Sequence, residues 1–211
     1  WKAAMVDARL ALRIDDMDRE RYRGEYVDDI LSVVEWLGIG VDVGPSTRWE
    51  FEHSYSLQSR QGRYRQALEA LRASPTSVYE CTCSRQDLAS GAACDCHATV
   101  RNVAMDETAV RVHIPPGTVV DVGSTRVHLD TAMGDFVLWR RDGQASYQLA
   151  SMIEDVDMAV THIVRGVDLV DSTAAQCFLA QRLSAQAFLD VEFTHHELLQ
   201  GPDGRKLSKS R

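Results

Sequence analysis

The chain has 211 residues, 45% of them hydrophobic and 26% charged, enough to bury one real core together with a small insert. A net charge of -8 argues against a generally basic nucleic-acid coat, although a local basic groove would still suffice to hold RNA. No apolar run reaches transmembrane length and no secretory leader opens the chain, which starts on Trp1 and reads as a fragment or a processed piece.

Residues 1–6 are short and apolar, consistent with the end of a helix. Residues 10–14 read as a buried strand, and Asp15, Asp16 and Asp18 follow at its C-terminal edge, where open α/β sheets place ligands. Acidic residues at a strand end also cap the next helix, so this block has two readings. Val27, Ile30, Leu31, Val34 and Leu37 recur at helical spacing as a core face, with Gly38 placed to end the helix. Residues 59–73 predict a second helix with Tyr64, Leu68 and Leu71 inward. Its Arg60, Arg63, Arg65 and Arg72 form either a solvated face or a set of phosphate contacts.

Four of the five cysteines fall between Cys81 and Cys96, which points to a metal cluster in a reducing compartment rather than a secreted disulfide framework. Residues 78–85 read as a β segment ending in Cys81-Thr82-Cys83, and Cys94-Asp95-Cys96-His97 follows after a run of small residues. Tetrahedral zinc takes four such donors, and two short pairs on facing turns supply them. Cys81 and Cys83 make the first pair. Cys94, Cys96 and His97 compete for the other two places, with Cys96 and His97 taken as the expected set. Free buried or reactive thiols are the competing reading. Cys177 sits in an apolar helical pattern and is expected in the core.

Short strands are predicted at 110–113, 119–122 and 127–129, separated by Pro-Pro-Gly and Gly-Ser turns. Residues 134–139 lead into Asp142-Gly143, a hairpin signal. Tyr147 opens a helix ending near Asp157. Residues 161–166 form a buried strand that leaves Arg165 at its C-terminal end, suited to a paired grip on a carboxylate or to an ordinary surface ion pair. A helix over 168–183 carries Asp168, Asp171 and Ser172 in its first turn. A β-like segment over 193–199 runs into the Gly201-Pro202-Asp203-Gly204 turn. Lys206-Leu207-Ser208-Lys209-Ser210 then puts two cations on a Gly-flanked loop, placed to neutralise charge on phosphate oxygens and a pyrophosphate leaving group. A solvated lysine-rich end is the plain alternative.

That last stretch resembles the Lys-Met-Ser-Lys-Ser loop of class I aminoacyl-tRNA synthetases. Arg13-Ile14-Asp15-Asp16-Met17-Asp18, Tyr79-Glu80-Cys81-Thr82-Cys83-Ser84-Arg85, Gly134-Asp135-Phe136-Val137-Leu138, Tyr147-Gln148-Leu149-Ala150 and Val164-Arg165-Gly166-Val167-Asp168-Leu169 resemble the glutamyl branch in order and spacing. The Tyr-Gln-Leu-Ala and Arg-Gly-x-Asp-Leu forms are closest to its glutamyl-Q group. The resemblance implies a Rossmann-like α/β nucleotide-binding domain with a mostly parallel sheet and a small zinc-bearing, β-rich insert. Residues 1–76 would be part of the catalytic domain, 77–130 the insert, and 131–211 the remainder ending in the lysine loop. It implies ATP, Mg2+ and Zn2+, with Lys206 and Lys209 catalytic and Lys206, Ser208 and Lys209 at the ATP phosphates. Asp15, Tyr147 and Arg165 would contact glutamate, with Asp15 standing where the family has Glu. The partners implied are glutamate and a tRNA, in the glutamyl-Q group tRNA(Asp) through its queuosine, in a cytoplasmic monomer. The family's N-terminal Arg-Phe-Ala-Pro-Ser-Pro-Thr-Gly and His-x-Gly-His-like elements do not occur. An ordinary glutamyl-tRNA synthetase catalytic domain and an inactive zinc-stabilised binding module are the alternatives.

Overall fold

The computed structural model describes residues 2–74, 78–84, 86–87, 94–98 and 108–201. The chain divides into two units, residues 1–65 and 66–211.

In the first unit, helix α1 (Gly24–Trp36) ends as its sequence predicts. Gly38 takes φ +65°, and the amides of Gly38 and Ile39 return to the carbonyls of Glu35 and Val34, closing the last turn. The core reading of this helix holds for Val27, which is buried with Ile14 and Phe51, and in part for Leu31, which packs against that cluster. Ile30 and Leu37 are 36% and 54% exposed, because among the described residues nothing covers that stripe. Residues 10–14 make a parallel bridge, Ala11 opposite Val43, rather than a full strand. The hydrogen bonds of Leu12 to Val43 and of Asp42 and Val43 to Leu10 span only one rung. Helix α2 (Gln61–Ala73), whose residues from Gln66 on belong to the second unit, buries Tyr64, Leu68 and Leu71 as the spacing requires.

The second unit holds a three-stranded antiparallel sheet in which β2 (Ala109–Val112) lies between β1 (Val78–Cys81) and β5 (Phe136–Trp139). A hairpin joins β3 (Val119–Val122) to β4 (Thr125–His128) across Gly123, whose φ is +59°. The Asp142-Gly143 turn closes a bridge between Trp139 and Ala145. Helix α3 (Tyr147–Asp157) starts at Ser146, whose hydroxyl accepts from the Leu149 amide. Strand β6 (His162–Gly166), helix α4 (Val170–Arg182) and strand β7 (Glu192–His196) complete a parallel β-α-β unit.

The α/β class is as expected, but parallel pairing is confined among the described residues to β6–β7 and the Ala11–Val43 bridge. Tight turns force antiparallel neighbours, and a parallel pair needs a crossover such as α4. That helix is central to its unit. Every residue from Thr173 to Ala180 is buried, against α3 on one side and the β3–β4 hairpin on another. Among the described residues no helix is long and apolar enough to cross a membrane.

Candidate functional site

Arg165 stands at the C-terminal end of β6, beside Gly166, where an added Cβ would fall 2.5 Å from the Asp168 carboxylate and force that side chain to move. The Arg165 side chain is 8% exposed. Its Nη1 donates to Gln176 Oε1 at 2.8 Å and, more weakly, to Thr173 Oγ1 at 3.4 Å. Both acceptors come from one face of α4, three residues apart. Asp155 of α3 places Oδ2 3.8 Å from Nη2, an ion pair outside hydrogen-bond reach. The guanidinium also lies 5.7 Å from the centre of the Phe193 ring.

His195 is the register partner of Arg165 across the parallel pair. Its Nε2 is 3.0 Å from Thr173 Oγ1, and the Thr173 hydroxyl donates back to the Leu169 carbonyl at 2.9 Å. The hydroxyl's one hydrogen is thereby used, so His195 donates to it as the neutral Nε2–H tautomer. Burial, then the nearby Arg165 and His196, hold the His195 pKa below its ordinary 6.5 and keep it neutral.

Tyr147 is the first residue of α3, the helix that carries Asp155, and is 37% exposed. Asp15 belongs to the first unit and is exposed, its Oδ1 accepting from the Met17 amide. The neighbouring Asp16 is the buried member of that acidic block. It accepts from Ser56 Oγ at 2.5 Å and from the Leu57 amide at 2.9 Å, and burial raises its pKa despite those bonds. Lys206, Ser208 and Lys209 lie outside the described residues.

The second cluster is made of sulfur. The thiols of Cys81, Cys83, Cys94 and Cys96 all lie within 4.8 Å of one another. Cys94 is 3.7 Å from Cys81 and from Cys83, and Cys83 is 3.7 Å from Cys96. A tetrahedron with metal–sulfur bonds of ~2.3 Å has edges of about 3.8 Å, so the spacing fits a zinc-sized ion. Without a metal the thiols share protons unequally. Burial pushes Cys83 up to about 12; it would raise Cys96 too, but hydrogen bonds from the Thr82 amide and the other thiols bring that one down to about 7. Arg141, on the hairpin after β5, donates to the carbonyls of Thr82 and Cys83 and pins the Cys-x-Cys turn.

His97, expected in the metal set, sits elsewhere. Its ring stacks on His113 at 4.4 Å, and it groups with His113 and Asp135 while Cys94 joins the thiols. The reason is steric direction, since Cys96 turns inward and the exposed His97 beside it turns out. Asp135 is already committed. It accepts from Tyr79 Oη at 2.6 Å, from the Ile114 amide at 2.8 Å and from His113 Nδ1 at 3.1 Å.

Sequence reasoning missed Thr173, Gln176, His195 and Asp135, and from the acidic block it took Asp15 and not the buried Asp16. A signal existed for Gln176, a lone amide inside the run Ala174, Ala175, Cys177, Phe178 and Leu179, because buried polar groups need partners.

The family described as tRNA synthetases class I (E and Q), catalytic domain, matches residues 3–211. The chain is 34% identical over 229 residues to a protein of Burkholderia cenocepacia (strain HI2424) named glutamyl-Q tRNA(Asp) synthetase, covering 98% of this chain and 72% of that protein. It is 33% identical over 230 residues to glutamate–tRNA ligase 2 of Koribacter versatilis (strain Ellin345), covering 98% of this chain and 45% of the relative. Among solved structures, a glutamate tRNA ligase from Elizabethkingia meningosepticum superposes with a TM-score of 0.71 at 23% identity, over 96% of this chain and 45% of that one. A glutamate-tRNA synthetase from Elizabethkingia anophelis gives 0.73 at 22% identity over 96% and 46%.

Proposed function

This chain belongs to the class I (E and Q) tRNA synthetase catalytic-domain family, and from that premise we propose that its protein activates glutamate with ATP and passes it to a tRNA. The observation that carries the reading is Arg165: a buried guanidinium at a strand end whose hydrogen-bond acceptors are both uncharged. With the carboxylate of Asp155 held 3.8 Å off and outside hydrogen-bond reach, the guanidinium keeps donors for an incoming anion.

Arg165 grips the side-chain carboxylate of glutamate, Tyr147 lines the same amino-acid site, and Asp15 faces the α-amino group. The α-carboxylate oxygen attacks the α-phosphorus of ATP and the bond to pyrophosphate breaks. Lys206 and Lys209, with Ser208, offset the charge gathering on the phosphate oxygens, where Mg2+ accompanies the nucleotide. A tRNA hydroxyl then opens the acyl-adenylate, releasing AMP. The name borne by the Burkholderia relative supports tRNA(Asp) as the acceptor, and the resemblance to the glutamyl-Q group implies that its queuosine takes the glutamate. The Koribacter ligase, almost as similar, supports ordinary glutamyl-tRNA synthesis as the second reading.

Cys81, Cys83, Cys94 and Cys96 hold a structural zinc, which cross-links two turns and takes no part in the chemistry. The protein works as a cytoplasmic monomer. ATP–pyrophosphate exchange with glutamate on the intact protein tests activation. Arg165→Leu should lower glutamate affinity roughly a hundredfold, equivalent to ~3 kcal/mol, and leave ATP binding unchanged. Exchange that proceeds normally in Arg165→Leu would end the assignment. Charging of tRNA(Asp) with and without queuosine, against tRNA(Glu), decides the acceptor.

A further inference from the structure

Gln176 lies in the middle of α4 with none of its surface exposed. A guanidinium has no acceptor, so the amide must turn its carbonyl toward Arg165 to make the 2.8 Å bond. That fixes the side chain's orientation without reference to electron counts. Nε2 then points the other way, buried, and meets no hydrogen-bond partner among the described residues. An unpaired buried donor weakens a fold, and natural structures retain such a group where it serves something else.

A glutamate at this position would fit the same space and bind Arg165 more strongly, through a charge-assisted bond. It would also cancel the arginine's charge. The nearest carboxylate in place, on Asp155, is held 3.8 Å off. Thr173, the other acceptor, is likewise neutral, and its hydroxyl is fully used by Arg165, Leu169 and His195. Every hydrogen bond on the guanidinium therefore orients it without neutralising it.

We propose that Gln176 is a positioning residue that sets substrate specificity: a neutral acceptor that aims Arg165 while leaving its charge for the side-chain carboxylate of the amino acid. The proposal rests on Arg165 being the carboxylate contact. Gln176 itself touches no substrate. Its role is to make a carboxylate preferable to a carboxamide: the Asp155 carboxylate stays outside hydrogen-bond reach, so an incoming anion can still make the charge-assisted hydrogen bonds that the guanidinium lacks.

The test is ATP–pyrophosphate exchange on the intact protein, with glutamate and then glutamine varied, for the parent, Gln176→Glu, Gln176→Met and Arg165→Leu. Thermal unfolding is followed in parallel. Gln176→Glu should be at least as stable as the parent, yet raise KM for glutamate by about tenfold or more. Its kcat at saturating glutamate and its KM for ATP should hold, and its preference for glutamate over glutamine should shrink. Gln176→Met, which removes the acceptor, should also raise KM for glutamate. A purely structural Gln176 would give altered stability with unchanged KM in both variants, and that overturns the proposal while leaving Arg165 in its role. Should Gln176→Glu fail to fold, an unchanged KM in Gln176→Met overturns it alone. An unchanged KM in Arg165→Leu removes the underlying reading and this proposal with it.

Discussion

Replacing Cys94 by serine removes one corner of the thiol tetrahedron while keeping the residue's size and its place in the turn. Its sulfur is 3.7 Å from both Cys81 and Cys83 and within 4.8 Å of Cys96, so it closes three of the tetrahedral edges, and loss of the thiolate leaves three sulfur donors. Structural zinc sites bind with ~10–16 kcal/mol, and a quarter of that, about 3 kcal/mol, corresponds to a loss of roughly a hundredfold in zinc affinity. His97→Ala is the matched control, because His97 is exposed and spends its ring on His113. Zinc content would be read by elemental analysis, and affinity by competition with a chromophoric chelator at fixed pH. Cys94→Ser should surrender zinc to the chelator at much lower concentration than the parent, and His97→Ala should match the parent. The reverse pattern, zinc kept by Cys94→Ser and lost by His97→Ala, would refute the four-thiol site and restore the histidine ligand.

Three further outcomes follow from carboxylates. Asp16→Ala strands the Ser56 hydroxyl and the Leu57 amide and should destabilise the protein by about 3 kcal/mol in urea unfolding. Asp15→Ala gives up only the bond from the Met17 amide, so it should cost much less stability than Asp16→Ala while raising KM for glutamate. For Asp135, burial would raise the pKa, but donation from Tyr79, the Ile114 amide and His113 outweighs it and the folded value lies below the ordinary 3.8. A depressed carboxylate stabilises the fold at pH above the unfolded value, and that contribution is lost as pH falls through the folded one. Asp135→Asn should therefore be less stable than the parent at neutral pH, with the gap narrowing in acid, as followed by unfolding midpoints from pH 7 down to about 3.

Several features were legible because they are local. Gly38 ends its helix in the left-handed region, Asp142-Gly143 makes its turn, 119–122 is a strand with the predicted limits, and Arg165 leaves a strand at its C-terminal end. Each depends on backbone preference or on the alternation of apolar residues over a few positions. The stripe on α1 was right for Val27 and Leu31 and wrong for Ile30 and Leu37, since helical spacing marks a face without saying what covers it.

Partner choice is different. From the sequence, Cys94, Cys96 and His97 competed for two metal positions with Cys96 and His97 as the expected set, Asp15 and Asp16 were adjacent acids, and Gln176 was a polar residue in an apolar run. The fold separates them. Cys94 closes the thiol cluster and His97 joins His113, while Asp16 is buried on Ser56 and Asp15 stays in solvent. Gln176, eleven positions from Arg165, becomes the acceptor that holds it. The amino-acid sequence alone thus determined the family, the fold class and the residue types able to do the chemistry. Which atom meets which was decided only in the tertiary structure, because hydrogen-bond and ligand geometry depend on side-chain direction and burial set by elements far apart in the chain.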